Sequence, residues 1–194
     1  MTTGQLVHIN LGKVRPLRVG ERKLMSAIGK TPVPGPVSVG PLGLSGDEQA
    51  DLSVHGGLDK ALYAFPLEHL AYWQQQRVVH GVSLFEETLL PGFVGENLSL
   101  TGLREDAVYV GDRLHFADCV LRVTQPREPC GKFNAVMGYT QAARDMVQSG
   151  CCGFYLAVES AGTLRPGESF ELVAGSRQMS IAQALAFKRH KHLR

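Results

Sequence analysis

Residues 107–124, AVYVGDRLHFADCVLRVT, carry the plainest β signal in the chain. Val108 and Val110 flank Tyr109, Gly111 and Asp112 turn the chain, and Leu114 and Phe116 alternate with polar neighbours. Ala117 and Asp118 turn it again, and residues 119–123 continue in β-formers. Period-two alternation broken by two-residue turns predicts three short antiparallel strands. Cys119 falls in the third of them and reads as a small core residue.

The same grammar extends both ways along the sequence. Residues 5–11 predict a first strand, closed by Gly12. Residues 30–46 are so rich in Pro and Gly that helix is excluded, and short strands such as 37–39 between tight turns are expected. Residues 61–65 predict a strand. Pro66 suits a helix start, and Leu67, Leu70, Ala71 and Trp73 give an apolar stripe ending near Arg77. A further helical turn is expected over 84–90. Residues 140–149 predict a helix capped by Thr140 and stopped by Gly150, residues 154–158 and 169–173 are strands, and residues 180–190 form a last helix capped by Ser180. In all, eight to ten short strands and two or three short helices are expected, with no internal repeat and no strand–helix alternation of the doubly wound kind. The predicted fold is mainly β, a closed or nearly closed barrel with a few short helices outside it.

Composition narrows the function. The chain has 194 residues, 44% hydrophobic and 20% charged, as in an ordinary globular domain. Its formal charge is +2, and Lys188, Arg189, Lys191 and Arg194 at the end leave the body slightly acidic. Such a body is a poor fit to a nucleic-acid polymer. No apolar run approaches the ~20 residues that span a bilayer, and no signal peptide is read at the N-terminus. Cys119, Cys130, Cys151 and Cys152 show no metal-ligand spacing, and the vicinal pair suits a disulfide badly. Free thiols in a reducing, cytoplasmic protein are expected.

Chemistry concentrates in residues 125–134, Gln-Pro-Arg-Glu-Pro-Cys-Gly-Lys-Phe-Asn. Pro126 and Pro129 fix φ on either side of Glu128 and stiffen the loop. The loop presents the Cys130 thiol with Arg127 and Lys132 nearby, and positive charge beside a thiol favours the thiolate, which is both nucleophile and metal ligand. Gly131 permits close approach to the sulfur. Two further clusters precede it. His55-Gly56-Gly57-Leu58-Asp59-Lys60 offers backbone N–H groups, an acceptor and a cation, and Gly95-Glu96-Asn97-Leu98 places polar groups inside an apolar run.

These three clusters, in this order, resemble the MOSC family, the domain found at the C-terminus of molybdenum cofactor sulfurases. The chain is most similar to stand-alone bacterial members that reduce N-hydroxylated compounds. The resemblance spans residues 26–173 and includes the run Gly-Asp-Glu-Gln-Ala-Asp at 46–51. It implies a MOSC-type barrel over residues 1–175. A C-terminal helix and basic tail over 176–194 would then stand where such relatives carry three helices. It implies a molybdopterin cofactor whose molybdenum is bound by Cys130, with His55 and Asn97 joining Cys130 in catalysis. Lys30, His55, Gly56, Gly57, Asp59, Lys60, Gly95, Glu96, Asn97, Arg127 and Lys132 would lie around the cofactor. Molybdenum's preference for sulfur, and a phosphate's for cations and N–H groups, agree with those residue types.

The expected activity is reduction of N-hydroxylated purines, pyrimidines or amidoximes to amines, a detoxification. No flavin, nicotinamide or iron–sulfur fingerprint is read, so a separate flavin or iron–sulfur reductase would supply electrons. A homodimer is left open. No lysine stands out as a Schiff-base candidate, so pyridoxal phosphate is not expected. Two other readings remain: a carrier of molybdenum cofactor or sulfur without turnover, and a cysteine hydrolase or acyltransferase pairing Cys130 with His55.

Overall fold

The computed structural model describes residues 2–50 and 56–192, with the side chains of the last helix described as far as residue 188. His55 therefore lies outside the described residues. The strands in chain order are β1 (Thr2–Gly12), β2 (Arg15–Val19), β3 (Arg22–Ser26), β4 (Lys30–Val33), β5 (Val37–Gly40), β6 (Gly43–Leu44), β7 (Leu62–Pro66), β8 (Leu98–Thr101), β9 (Arg113–His115), β10 (Val120–Pro126), β11 (Phe154–Ser160), β12 (Gly162–Leu164) and β13 (Ser169–Val173). Four short helices accompany them: α1 (Leu70–Val79), α2 (Gly131–Met137), α3 (Ala142–Ser149) and α4 (Ile181–His192).

Seven strands close into a barrel in the order β13-β9-β10-β11-β7-β8-β1, and β1 pairs back onto β13. The expected barrel is thus present, and closure leaves no open edge in that ring. β4 adds to β1 outside the ring, β12-β5-β6 form a small sheet, and β2–β3 form a hairpin. Alternation along the strands sorts the side chains. In β7, Leu62 and Ala64 point into the barrel core while Tyr63 and Phe65 face outward; in β11, Phe154 and Leu156 point in and Tyr155 out. The outward set joins Trp73 of α1, Phe133 and Met137 of α2 and Met146 of α3 in a second core between barrel and helices. α4 is packed into the body, with Ile181 in the barrel core and Leu185 in the outer one.

One pairing in the ring is parallel, β7 with β8. A parallel pair needs a crossover, and α1 with the irregular chain after it supplies one. That crossover brings residues 61–63 beside 95–97, where Tyr63 and Asn97 exchange hydrogen bonds.

Several expectations are corrected. Residues 108–110 are not a strand. Their alternation reflects Val108 plugging the core, and the backbone N–H groups of Val110 and Gly111 go to Met179 and Val123 instead of a ladder partner. Residues 84–90 form no helical turn. Leu84 is 97% exposed, and the segment is held by side chains, with Arg77 reaching both Glu87 and the Met137 carbonyl. Pro66 ends β7; a 3-10 turn, Leu67–His69, precedes α1. Gln141, not Thr140, stands before α3. Ser180 does cap α4, accepting from the Gln183 N–H while Gln183 Oε1 accepts from the Ser180 N–H, a capping box.

Candidate functional site

Strand β10 carries a register shift between Val123 and Gln125. The extra residue, Thr124, turns its hydroxyl toward the carbonyls of Asp59 and Tyr155. Such a bulge bends the strand, here just ahead of Arg127 and Cys130. The loop after it is short. Cys130 stands at the N-cap of α2 with extended backbone and a half-buried side chain. Glu128 forms an ion pair with Lys188 of α4, so a residue assigned by sequence to a solvated tail supports the Cys130 loop.

Cys130 lines an open cleft. The cleft runs along the outside of the barrel, between the 26–28 and 47–50 segments on one side and β7, β11 and the Cys130 loop on the other. Of the residues expected around a cofactor, Lys30, Lys60, Gly95, Asn97, Arg127, Cys130 and Lys132 line it. Gly56, Gly57, Asp59 and Glu96 are not among its lining residues. Glu96 points away: its carboxylate accepts from the Gly92 N–H at 2.6 Å and the Ser99 hydroxyl at 3.0 Å, and burial pushes its pKa up. Asp59 is exposed at the start of the chain's return into β7, 3.5 Å from Arg122.

The cations differ in what already holds them. Lys30 is tied to Asp47 at 2.5 Å, with side chains only 7% and 5% exposed. Asp47 also accepts from the Gly12 N–H at 2.7 Å and the Asn97 amide at 2.8 Å. Asn97 is itself engaged on both ends, since its carbonyl oxygen accepts from the Tyr63 N–H at 3.2 Å. Asp47, Lys30 and Asn97 thus form one buried knot in the cleft wall. Arg127 is also buried. Its guanidinium lies 4.9 Å from the Tyr63 ring centre and 5.6 Å from that of Phe133, and it donates to the Glu128 carbonyl at 3.2 Å. Burial opposes its charge, while Tyr155, Tyr63 and Cys130 favour it, and the net direction is upward. Lys60 lies 5.6 Å over the Tyr155 ring, and Lys132 donates to the Met25 carbonyl at 3.2 Å.

Gly95 has φ +93°, and a Cβ there would stand 2.7 Å from Ile28, so only glycine lets the two walls meet. Sequence reasoning missed Asp47, Glu48, Gln49, Tyr63 and Tyr155 as lining residues. The 46–51 run was legible as part of the resemblance, but nothing in it marked Asp47 as the partner of Lys30.

A MOSC domain is matched over residues 51–171. The chain belongs to the MOSC family. Protein YiiM of Escherichia coli (strain K12) is 36% identical over 184 residues, which is 95% of this chain and 79% of YiiM. A protein named reductase from Gibberella moniliformis is 29% identical over 171 residues, 88% of this chain but 29% of that longer protein. The crystal structure of YiiM from Geobacillus stearothermophilus superposes with a TM-score of 0.76 at 34% identity, covering 97% of this chain and 85% of that one. The barrel therefore shares its fold with the stand-alone bacterial MOSC proteins to which the chain is similar. Among the described residues, no helix is long and apolar enough to cross a membrane.

Proposed function

We propose that this MOSC protein binds a molybdenum cofactor in the cleft and reduces N-hydroxylated compounds to amines. The observation that carries the reading is the donor set at Cys130. One half-buried thiol stands on the cleft wall, and no group of three or more His, Cys, Asp or Glu among the described residues could hold a metal. A lone soft donor suits a metal whose remaining ligands arrive with an organic cofactor. Arg127, Lys60 and Lys132 line the same cleft and suit the cofactor's phosphate.

When bound, the group would supply two-electron oxygen-transfer chemistry, and the protein's part is to hold and orient it. The Cys130 sulfur would be the one protein ligand, set by the α2 N-cap and the two prolines. Lys30, neutralised by Asp47, shapes the wall and adds little to anion binding. Lys60 and Lys132, which line the same cleft, would meet the phosphate end. Asn97 positions Asp47. The overall change, an N–OH group plus two electrons and two protons giving an amine and water, needs an outside reductant. A flavin or iron–sulfur reductase fills that role, in keeping with a fungal relative named reductase.

The test is to purify the chain from a host that makes the cofactor, measure molybdenum per protomer, and assay an N-hydroxylated base with a chemical electron donor. Near-stoichiometric molybdenum with turnover supports the reading. Molybdenum without turnover would point to a carrier, and no molybdenum would sink the proposal.

A further inference from the structure

The β2–β3 hairpin borders the cleft. β3 ends at Ser26, and Ser26, Ala27 and Ile28 line the cleft. Lys132, another lining residue, donates to the Met25 carbonyl at 3.2 Å. A Cβ on Gly131 would stand 3.8 Å from Val19 Cγ1, so β2 meets the start of α2, next to Cys130. The hairpin is thus rooted both on the cleft wall and against the Cys130 loop. Along β2, Arg15, Pro16 and Arg18 are exposed, while Leu17 and Val19 are half-buried. The register sets Met25 opposite Pro16 and Lys23 opposite Arg18, so these four side chains share the outward face. Arg22 is exposed at the start of β3.

Residues 15–23 carry Arg15, Arg18, Arg22 and Lys23 against one acid, Glu21. Elsewhere on the surface, cations meet carboxylates: Arg113 and Arg122 share Glu159, Arg177 reaches Asp112, and Lys13 reaches Glu48. Among the described residues none of the four hairpin cations has such a partner, and Arg18 donates to the Gly20 carbonyl at 3.2 Å. Arg18 and Lys23 stand directly opposite each other, and like charges so placed destabilise a strand pair. A two-stranded hairpin is marginal on its own, so stability alone would put an acid at one of these positions. Leu24 and Met25 lie among the charges, 39% and 53% exposed. No residue of 15–25 lines the cleft, so this face is not the wall of a small-molecule site. An open face of Arg and Met with apolar neighbours has the composition of a protein interface.

We propose, resting on the reading of the cleft as a redox site, that the outward face of the β2–β3 hairpin is the docking surface for an acidic electron-transfer protein. Its reduced flavin or iron–sulfur centre is oxidised as it gives up the two electrons that N–OH reduction takes, and water supplies the two protons. Such a partner must bring its redox group to the cleft mouth, and the hairpin puts positive charge without carboxylate partners beside that mouth. Charge of this kind speeds encounter and orients the partner, and its effect falls with salt. Leu24 and Met25 give the docked complex an apolar patch within the charged face. A nucleic-acid strand would use the cations alone, and the body of the chain is slightly acidic.

The experiment measures binding by the whole cofactor-free chain, so its failure is distinct from failure of the cofactor reading, which molybdenum content and turnover decide. Flavodoxin and a plant-type ferredoxin, both small and acidic, are titrated onto the chain at about 20 mM and about 200 mM salt. At least one should bind at low salt and weaken at least tenfold at high salt. Arg18→Gln with Lys23→Gln should weaken binding at least tenfold while the melting temperature stays level or rises, because the like-charge pair is gone. Arg104→Gln with Arg165→Gln, the same change of charge on the exposed loops after β8 and β12, should weaken it less than threefold. Met25→Ser should weaken binding and leave its salt dependence unchanged. Three results each overturn the proposal: neither probe binds at low salt, the two double variants lose equally, or a single-stranded DNA of about 20 nucleotides binds more tightly than both proteins. If the hairpin double variant fails to fold, Met25→Ser decides, and unchanged binding overturns the proposal.

Discussion

The interior of the barrel and the layer between barrel and helices are built from the same strands, and they hold different things. Inside are Leu6, Leu100, Leu114, Phe154 and their like, with Cys119 the only thiol among the described residues there. Outside, the alternate residues of those strands bring Tyr63, Phe65 and Tyr155 against Trp73 and Phe133, and with them come Arg127, His69 and Glu105. The inner layer is apolar and closed, so it fixes shape. The outer layer is aromatic and edged with backbone that has left the ladder, so charged groups find partners there. Cys130, the thiol of the cleft, lies at the margin of that outer layer, at the N-cap of α2. The period-two alternation that makes a barrel thus also divides structure from chemistry.

The sharpest test of that division is the thiol pair Cys130 and Cys119. Cys130→Ser should abolish cofactor retention and activity while leaving the melting temperature of the cofactor-free protein unchanged, read by elemental analysis and a thermal scan. Retained molybdenum would break the contrast. Next in size is the knot in the cleft wall. Asp47→Ala leaves the buried Lys30 ammonium unpaired and removes one acceptor of the Asn97 amide, and should cost about 3–5 kcal/mol in urea unfolding. A cost near zero would mean that the outer layer tolerates unpaired charge as solvent does.

The His69–Glu105 pair should show in the pH dependence of stability. The folded pKa of His69 is about 9 against an ordinary 6.5, so the folded state holds that proton more tightly. The stabilisation is then fully present below about 6.5 and lost as pH rises through about 9. Urea midpoints at pH 6 and pH 9.5 should differ in that direction, and Glu105→Gln should flatten the difference. The smallest effect is expected inside. Cys119, with its pKa pushed to about 12 by burial and by the nearby Glu168 and Asp118 carboxylates, is chemically quiet. Cys119→Ala should cost about 1–2 kcal/mol through lost packing and leave the metal in place.

The sequence showed the barrel because strands with one face on a core must alternate, and 114–116, 119–123, 154–158 and 169–173 all did. It misled at 108–110, where alternation came from one buried valine in a loop. It was silent on the β2–β3 hairpin, whose residues are mostly exposed and so carry no apolar period. At the site, Cys130, Arg127 and Lys132 were legible from a stiff loop with charges beside a thiol. The pairing of Lys30 with Asp47, the salt bridge of Lys188 to Glu128 and the meeting of His69 with Glu105 were not. Each joins residues far apart in sequence, and only the barrel's crossings bring them together.

Residues 2–5 of β1 pair with β13, so the seam of the barrel joins strands separated by nearly the whole described chain. During synthesis that seam has no partner until Ser169–Val173 has been made. Until then β1 presents unpaired N–H and C=O groups to any strand that passes, and the barrel is an open, self-complementary sheet. The entropy of closing so long a loop must be met before the seam's hydrogen bonds form, which places this barrel among slow folders and lengthens the interval in which nascent chains can associate wrongly.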